Sequence, residues 1–306
     1  MKNKIIVIVG PTASGKTNLS IELAEKLNSE IINADSRQVY KFMDIGTAKP
    51  TKEELQRVKH YFIDRVKPDE HYDAGMFGKE GREVIELMIN QDKIPIVSGG
   101  SGLYIKSLVD GLFDGPERDE NIRAKIEERL LAEGIDSLYK ELCDIDYETS
   151  QKIQPNNKHR IIRALEVYYL TGVPISKLHK MNKIEINFLP VFFGLHWERK
   201  VLYQRINQRT IGMINSGLVE EVKNLLNMGY NKNLKSFKTV GYKEPIEFIE
   251  GKISYDEMIS LIQQYTRNYA KRQLTWFRAD KRINWVDANK NTKEIIDEIM
   301  KLYKSS

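Results

Sequence analysis

The residues Gly10-Pro-Thr-Ala-Ser-Gly15-Lys16-Thr17 fit the pattern G-x-x-x-x-G-K-[ST]. In such a loop, consecutive backbone N–H groups and the positive end of the following helix converge on an anion. The Lys16 ammonium adds a mobile cation, and the Thr17 hydroxyl is placed to ligate Mg²⁺. Gly10, Pro11, Thr12, Ala13, Ser14, Gly15, Lys16 and Thr17 are therefore the expected cradle of a phosphate chain. The pattern specifies phosphates rather than ATP. ATPases usually hold Mg²⁺ with a carboxylate at the end of a second apolar strand, whereas Ile94-Pro-Ile-Val-Ser98 runs into Gly99-Gly100.

A carboxylate stands elsewhere. Asp35 closes the apolar run Glu30-Ile-Ile-Asn-Ala34 and is followed by Ser36-Arg37-Gln38. The carboxyl end of a parallel strand is the edge where ligands bind. The residues alone leave Asp35 as a general base, a turn or helix cap, or a metal ligand. Arg205 and Arg209, at i and i+4 after Trp197, fit either two more cations on the phosphates or a solvated helix face.

The elements that position these groups can be read from periodicity. Ile5 to Val9 is a continuous β-branched run stopped by Gly10-Pro11, as expected of a strand buried on both faces of a parallel sheet. A helix from about Lys16 to Leu27 follows, then strands at 30–34 and 94–98, an α/β pattern. From 116 to about 183 only helical periodicity remains (119–133, 137–143, 157–170) before a strand-like return at 188–195. The expected architecture is an α/β core of the phosphate-loop type, 1–115 and 190–306, with an all-helical insertion at 116–189. The rest reads as helical: 199–215, 218–228, and a long helix to about Phe277 opened by a capping box at Ser254-Tyr-Asp-Glu257, then a polar tail. On that long helix Arg267, Lys271 and Arg278 form a cationic stripe, for phosphates or for water. Tyr269 and Trp276 belong to a mixed stripe expected to face the core.

Bulk composition excludes little. The 306 residues carry 48 basic and 43 acidic side chains, a net +5 that is compatible with a nucleic-acid partner. A single cysteine, Cys143, rules out an internal disulfide framework and fits a reducing compartment. The early apolar run is too short to span a bilayer or to serve as a secretory signal, so a cytoplasmic protein is expected, with no membrane and no obligate protein partner.

Seven blocks occur in order: 10–17, Asp35-Ser-Arg-Gln-Val-Tyr40, Gly46-Thr-Ala-Lys-Pro50, Gly99-Gly-Ser-Gly-Leu-Tyr104, Arg160-Ile-Ile-Arg-Ala-Leu-Glu166, Gly241-Tyr-Lys-Glu244 and Thr266 to Arg278. Together they resemble the bacterial tRNA dimethylallyltransferases along nearly the whole chain. The resemblance implies transfer of a dimethylallyl group from dimethylallyl diphosphate to the exocyclic amine of the adenosine beside the anticodon. Mg²⁺ would be the cofactor and the tRNA anticodon stem-loop the partner. It places the family's base on Asp35 and its anticodon-loop contacts on Ser36, Arg37, Gln38 and the Ser101 hydroxyl. Further contacts fall on the basic residues around Arg160 and Arg163, His159 among them, and on Arg123. Ser101 stands where threonine is more common and keeps the hydroxyl. His60-Tyr61 and Asn156-Asn157 depart from the usual pairs and receive no role. The Cys/His finger of eukaryotic relatives is missing, which fits a bacterial enzyme.

The chemistry asks for such residues. Adenine's exocyclic amine is a poor nucleophile that must lose a proton as the C–N bond forms, so a nearby carboxylate is worth roughly 10²–10⁴-fold. Lys16, the loop amides and Mg²⁺ on Thr17 oppose the charge growing on the departing diphosphate. An RNA base must also be unstacked and gripped, which suits a basic insertion. Competing readings are prenyl transfer to a free adenine nucleotide, a small-molecule kinase, and an RNA-binding nucleotide switch.

Overall fold

Ile5-Ile-Val-Ile-Val9 offers water no polar side chain, and all five residues are fully buried. They belong to β1 (Asn3–Val9), a central strand of one sheet. Its companions are β2 (Ile31–Asn33), β3 (His60–Tyr61), β4 (Ile96–Gly99), β5 (Phe188–His196) and β6 (Ile283–Asp287). The order is β3-β2-β4-β1-β5-β6, every pairing parallel. Strands covered on both faces read as unbroken apolar runs, which is why β1, β2 and β4 are legible from sequence. This computed structural model describes residues 3–111, 115–116, 118–181 and 184–306.

The chain forms two units, Met1–Val109 with Ile186–Ser306, and Asp110–Glu185. In the first, α1 (Lys16–Lys26), α2 (Lys52–Arg57), α3 (Ala74–Asn90) and α4 (Gly102–Lys106) accompany β1 to β4. In the second lie α5 (Glu120–Glu133), α6 (Ile135–Ile145), α7 (Tyr147–Ser150), α8 (Lys158–Thr171) and α9 (Ile175–Met181). The first unit resumes with β5, then α10 (Arg199–Asn215), α11 (Leu218–Asn227), α12 (Lys243–Ile249), α13 (Tyr255–Arg278), β6 and α14 (Thr292–Ser305). The helical unit starts at Asp110 rather than 116 and ends at Glu185 rather than 189, because Phe188 and Leu189 already pair with Asn3 and Lys4 of β1.

Two expectations about the end of the chain are corrected. It is not all helical: β6 pairs along β5 from Phe192↔Ile283 to His196↔Asp287. Nor is it a polar tail, since α14 buries Ile295, Ile296 and Ile299 in the same apolar cluster as Leu19, Phe193 and Val286. Strand β6 escapes a reading by periodicity because only Ile283 and Val286 of its five residues are buried. The Ser254 box is half formed. Ser254 caps Glu257 N–H at 3.2 Å, with no bond in return from the Glu257 carboxylate.

The helical unit has its own core, in which Ile126, Leu138, Leu142, Ile161 and Leu165 pack together. Glu166 lies fully buried in it. Its carboxylate accepts from the Asp119 amide (3.1 Å), Arg123 (3.2 Å) and Arg163 (3.1 Å). Two cations and an amide thus compensate one buried charge, as burial requires. Among the described residues no helix is long and apolar enough to cross a membrane.

Candidate active site

The phosphate loop connects β1 to α1 and turns through Gly15, whose φ of 92° lies in the left-handed region open to glycine. Side chains from distant elements fix its backbone. Trp197 Nε1 donates to Ser14 O and Arg205 Nε to Ala13 O, both at 2.9 Å, and the Arg205 guanidinium lies over the Trp197 ring at 4.4 Å. Arg209 donates to the Thr12 hydroxyl. Gln273 accepts from the Thr12 amide at 2.9 Å and donates to Gly100 O at 2.9 Å. Arg205 and Arg209 therefore lie against the loop, half-buried, rather than on a solvated face.

Lys16 Nζ donates back to Gly10 O (3.0 Å) and Pro11 O (2.7 Å). Burial pulls this ammonium down to about 7, the Asp35 carboxylate opposing the shift and Arg209 adding to it. Arg209 itself is lowered to about 10 by burial, again against the pull of Asp35. The site gathers more positive charge than it neutralises and suits an anionic ligand.

These groups line a cavity of about 610 Å³, together with Thr17, Asn33, Asp35 and the segment Thr47–Pro50. Asn33 is buried, and its side-chain amide nitrogen has no hydrogen-bond partner among the described residues. An orphaned buried amide in a phosphate cavity fits a site completed by ligand. Strand β4 ends at Ser98-Gly99 beside it, and Ser98 Oγ accepts from Ser20 Oγ at 2.7 Å. Among the described residues no cluster of three or more His, Cys, Asp or Glu could hold a metal. Mg²⁺ is commonly held by one or two protein oxygens plus substrate phosphates, and Thr17 is the hydroxyl that fits this role.

A second cavity of about 450 Å³ adjoins the first, sharing Gly100, Tyr269 and Gln273 in its wall. Its other walls include Ser36, Arg37, Tyr72, Ser101, Tyr104 and Trp276. Ser101 Oγ accepts from the Ser36 amide (2.9 Å) and donates to Ser36 Oγ (3.1 Å). The Tyr269 phenol is pushed up to about 12, chiefly by burial and next by Asp35, so it stays protonated. Asp35 Oδ1 accepts from the Arg37 amide at 2.8 Å, fixing a turn. Its other oxygen is bonded to no described donor, and Asp35 is one of the residues that line the first cavity.

The model of the IPP transferase family matches residues 38–280. The chain belongs to that family. A tRNA dimethylallyltransferase of Thermoanaerobacter sp. (strain X514) is 46% identical over 307 residues, with 98% of each chain covered. One of Thermotoga maritima is 46% identical over 98% of this chain and 97% of its own. Among solved structures, a tRNA delta(2)-isopentenylpyrophosphate transferase of Staphylococcus epidermidis aligns over the whole of both chains with a TM-score of 0.73 at 38% identity. A eukaryotic dimethylallyltransferase acting on tRNA aligns over 94% of this chain and 74% of its own, with a TM-score of 0.80 at 31% identity.

In this IPP transferase family member the expected site residues fall into groups. Thr12 to Thr17 of the loop, Asp35, Arg205 and Arg209 meet at the first cavity, Gly10 and Pro11 reach it only through their carbonyls on Lys16, and Ser36, Arg37 and Ser101 line the second. Gln38 is buried, and its amide donates to Thr47 O (3.1 Å) and Ala48 O (2.9 Å), so it shapes a loop of the first cavity. Arg123 and Arg163 face Glu166, while His159 and Arg160 are exposed at the start of α8. Arg267 donates to Asn207 Oδ1 at 2.7 Å, and Lys271 and Arg278 are exposed. Tyr269 and Trp276 do not belong to the core as expected: Tyr269 lines both cavities, and Trp276 is 44% exposed in the second. Gln273, Trp197 and Asn33 were not anticipated. Gln273 carries a visible signal, being a polar residue on the buried stripe Met258, Ile262, Ala270, Phe277 of α13.

Proposed function

We propose that this protein transfers the dimethylallyl group of dimethylallyl diphosphate to the exocyclic amine of the adenosine adjacent to the anticodon in tRNA. The observation that carries this reading is the pair of adjoining cavities. One is walled by a phosphate loop and Asp35 and the other by serine, arginine and aromatic side chains, with Tyr269 in the wall of both. A diphosphate suits the first, where Lys16, the loop amides and Arg209 meet its charge. A flipped purine suits the second, where Tyr269 and Trp276 offer faces to stack on and Ser101 and Arg37 offer hydrogen bonds.

In the reaction the amine nitrogen forms a bond to the allylic carbon, and the bond from that carbon to the diphosphate oxygen breaks. The free oxygen of Asp35 takes the amine proton. Lys16 and Arg209 hold the departing diphosphate. Mg²⁺, when bound through Thr17, supplies further charge neutralisation to that leaving group. Arg160, Lys271 and Arg278 are exposed cations available to RNA phosphates, with the His159 ring exposed beside Arg160, and the cytoplasm, where tRNA is, is the compartment this reading assigns. The absence of a carboxylate at the end of β4 weighs against a kinase.

Incubating unmodified tRNA with the protein, dimethylallyl diphosphate and Mg²⁺ should raise the tRNA mass by one C₅H₈ unit at that adenosine. Unchanged tRNA, or a product formed only with free adenylate, overturns the proposal.

A further inference from the structure

One part of the first cavity's wall is the segment Thr47–Pro50, and the turn just before it is built around a carboxylate from another element. Glu221, on α11, accepts from the backbone N–H of Asp44 (2.9 Å) and Ile45 (2.7 Å) through Oε2, and of Gly46 (3.1 Å) through Oε1. Oε1 also accepts from the Tyr242 hydroxyl at 2.6 Å. Three successive amides converging on one anion make a nest, the arrangement that loops use to bind phosphate. Here the chain supplies the anion itself, and no described cation pairs with it.

The turn is closed from its other sides too. A Cβ on Gly46 would lie 2.4 Å from the Tyr242 ring, so the backbone rests directly on that fully buried tyrosine. Phe237 stacks on the same ring with a 7° interplanar angle. Past the turn, Ala48 has a φ of 52°, a left-handed conformation unfavourable for alanine, and its carbonyl takes the Gln38 amide. Lys49 Nζ reaches Tyr40 O (2.7 Å) and Asp44 Oδ1 (2.6 Å). A strained residue persists where its surroundings over-determine it, and such places cluster at ligand clamps.

We propose that Glu221 is a positioning residue for the prenyl donor, its carboxylate holding the 44–46 turn so that Thr47–Pro50 form the wall against which the diphosphate docks. The proposal rests on the reading of the first cavity as the donor site. Without the charge, three amides and a phenol lose a common acceptor, Ala48 can relax from its left-handed conformation, and the wall shifts.

Glu221→Gln keeps the size of the side chain and removes its charge. Donor dissociation constant and KM should rise about tenfold, as expected when charge-assisted hydrogen bonds are lost, while kcat at saturating donor and tRNA affinity stay within about threefold. Amide exchange at Asp44–Gly46 should accelerate while β1 remains protected. Tyr242→Phe, which deletes one of the four bonds and keeps the ring stack, should shift donor KM the same way by less. It serves as the test if Glu221→Gln does not fold. A variant of lower melting temperature with unaltered donor affinity, or a loss confined to kcat, overturns the assignment. Failure of the wild type to bind the donor overturns the reading beneath it.

Discussion

Gln273 holds the Thr12 amide of the phosphate loop at 2.9 Å from a position 261 residues further along the chain, and with the other end of the same amide holds Gly100 O. One side chain of α13 therefore sets the spacing between the phosphate loop and the turn after β4, which leave the adjoining ends of two paired strands, Val9 opposite Gly99. Gln273→Leu keeps the volume but leaves two backbone groups without partners, at about 1–3 kcal/mol each. We expect a lower melting temperature and about tenfold weaker binding of dimethylallyl diphosphate, measured by calorimetry. Unchanged donor affinity would show that the loop holds its shape without this bridge.

Lys16 makes donor binding proton-linked. Its ordinary value of 10.5 falls to about 7 in the folded protein without ligand, so between those values the unfolded chain holds a proton that the folded chain lacks. The ligand-free protein therefore gains stability as pH rises through that window. A bound diphosphate restores the charged form, so binding at pH 8 should take up a proton and weaken as pH rises. Titration calorimetry in buffers of different ionisation enthalpy reads this uptake, which Lys16→Met should abolish. Equal uptake in that variant would place the proton elsewhere.

Glu166 anchors the helical unit. Glu166→Ala leaves Arg123 and Arg163 facing a buried gap and should destabilise that unit by about 3–5 kcal/mol. Amide exchange should rise in α5 and α8 while β1 and β4 stay protected. Uniform protection would mean that the carboxylate is dispensable.

Much of this was legible in the residues, and the gaps have physical causes. The phosphate loop and β1 read directly because a buried parallel strand has only apolar side chains and the loop demands fixed glycines. Asp35 was found, but only the family resemblance gave it the role of base, since a strand-end carboxylate serves a turn or a reaction equally well; the structure gives one of its oxygens to the Arg37 amide and places the residue in the wall of the first cavity. Tyr269 and Trp276 were misplaced because helical spacing cannot tell a face against the core from a face against a cavity. Gln273 and Glu221 act across more than 170 residues of sequence on backbone groups, which no local pattern records.

Trp276 gives a handle on the second cavity alone. A Cβ at Gly102 would lie 2.2 Å from Trp276 Nε1, so Gly102→Ala should push the indole aside. We expect kcat/KM for tRNA to fall about tenfold, at a cost of about 1–2 kcal/mol in transition-state binding, with donor affinity unchanged. A fall in donor affinity instead would mean that the two cavities are not divided by substrate.

The most direct test of the reaction is the single-turnover rate of Asp35→Asn on tRNA with bound dimethylallyl diphosphate, read by product mass at several Mg²⁺ concentrations. Asparagine keeps an oxygen for the Arg37 amide and so preserves the turn, but it cannot take the amine proton. The rate should drop roughly 10²–10⁴-fold, with tRNA and donor affinities nearly unchanged and no recovery at high Mg²⁺. A near-normal rate, or rescue by added metal, would contradict the role of Asp35 as the base.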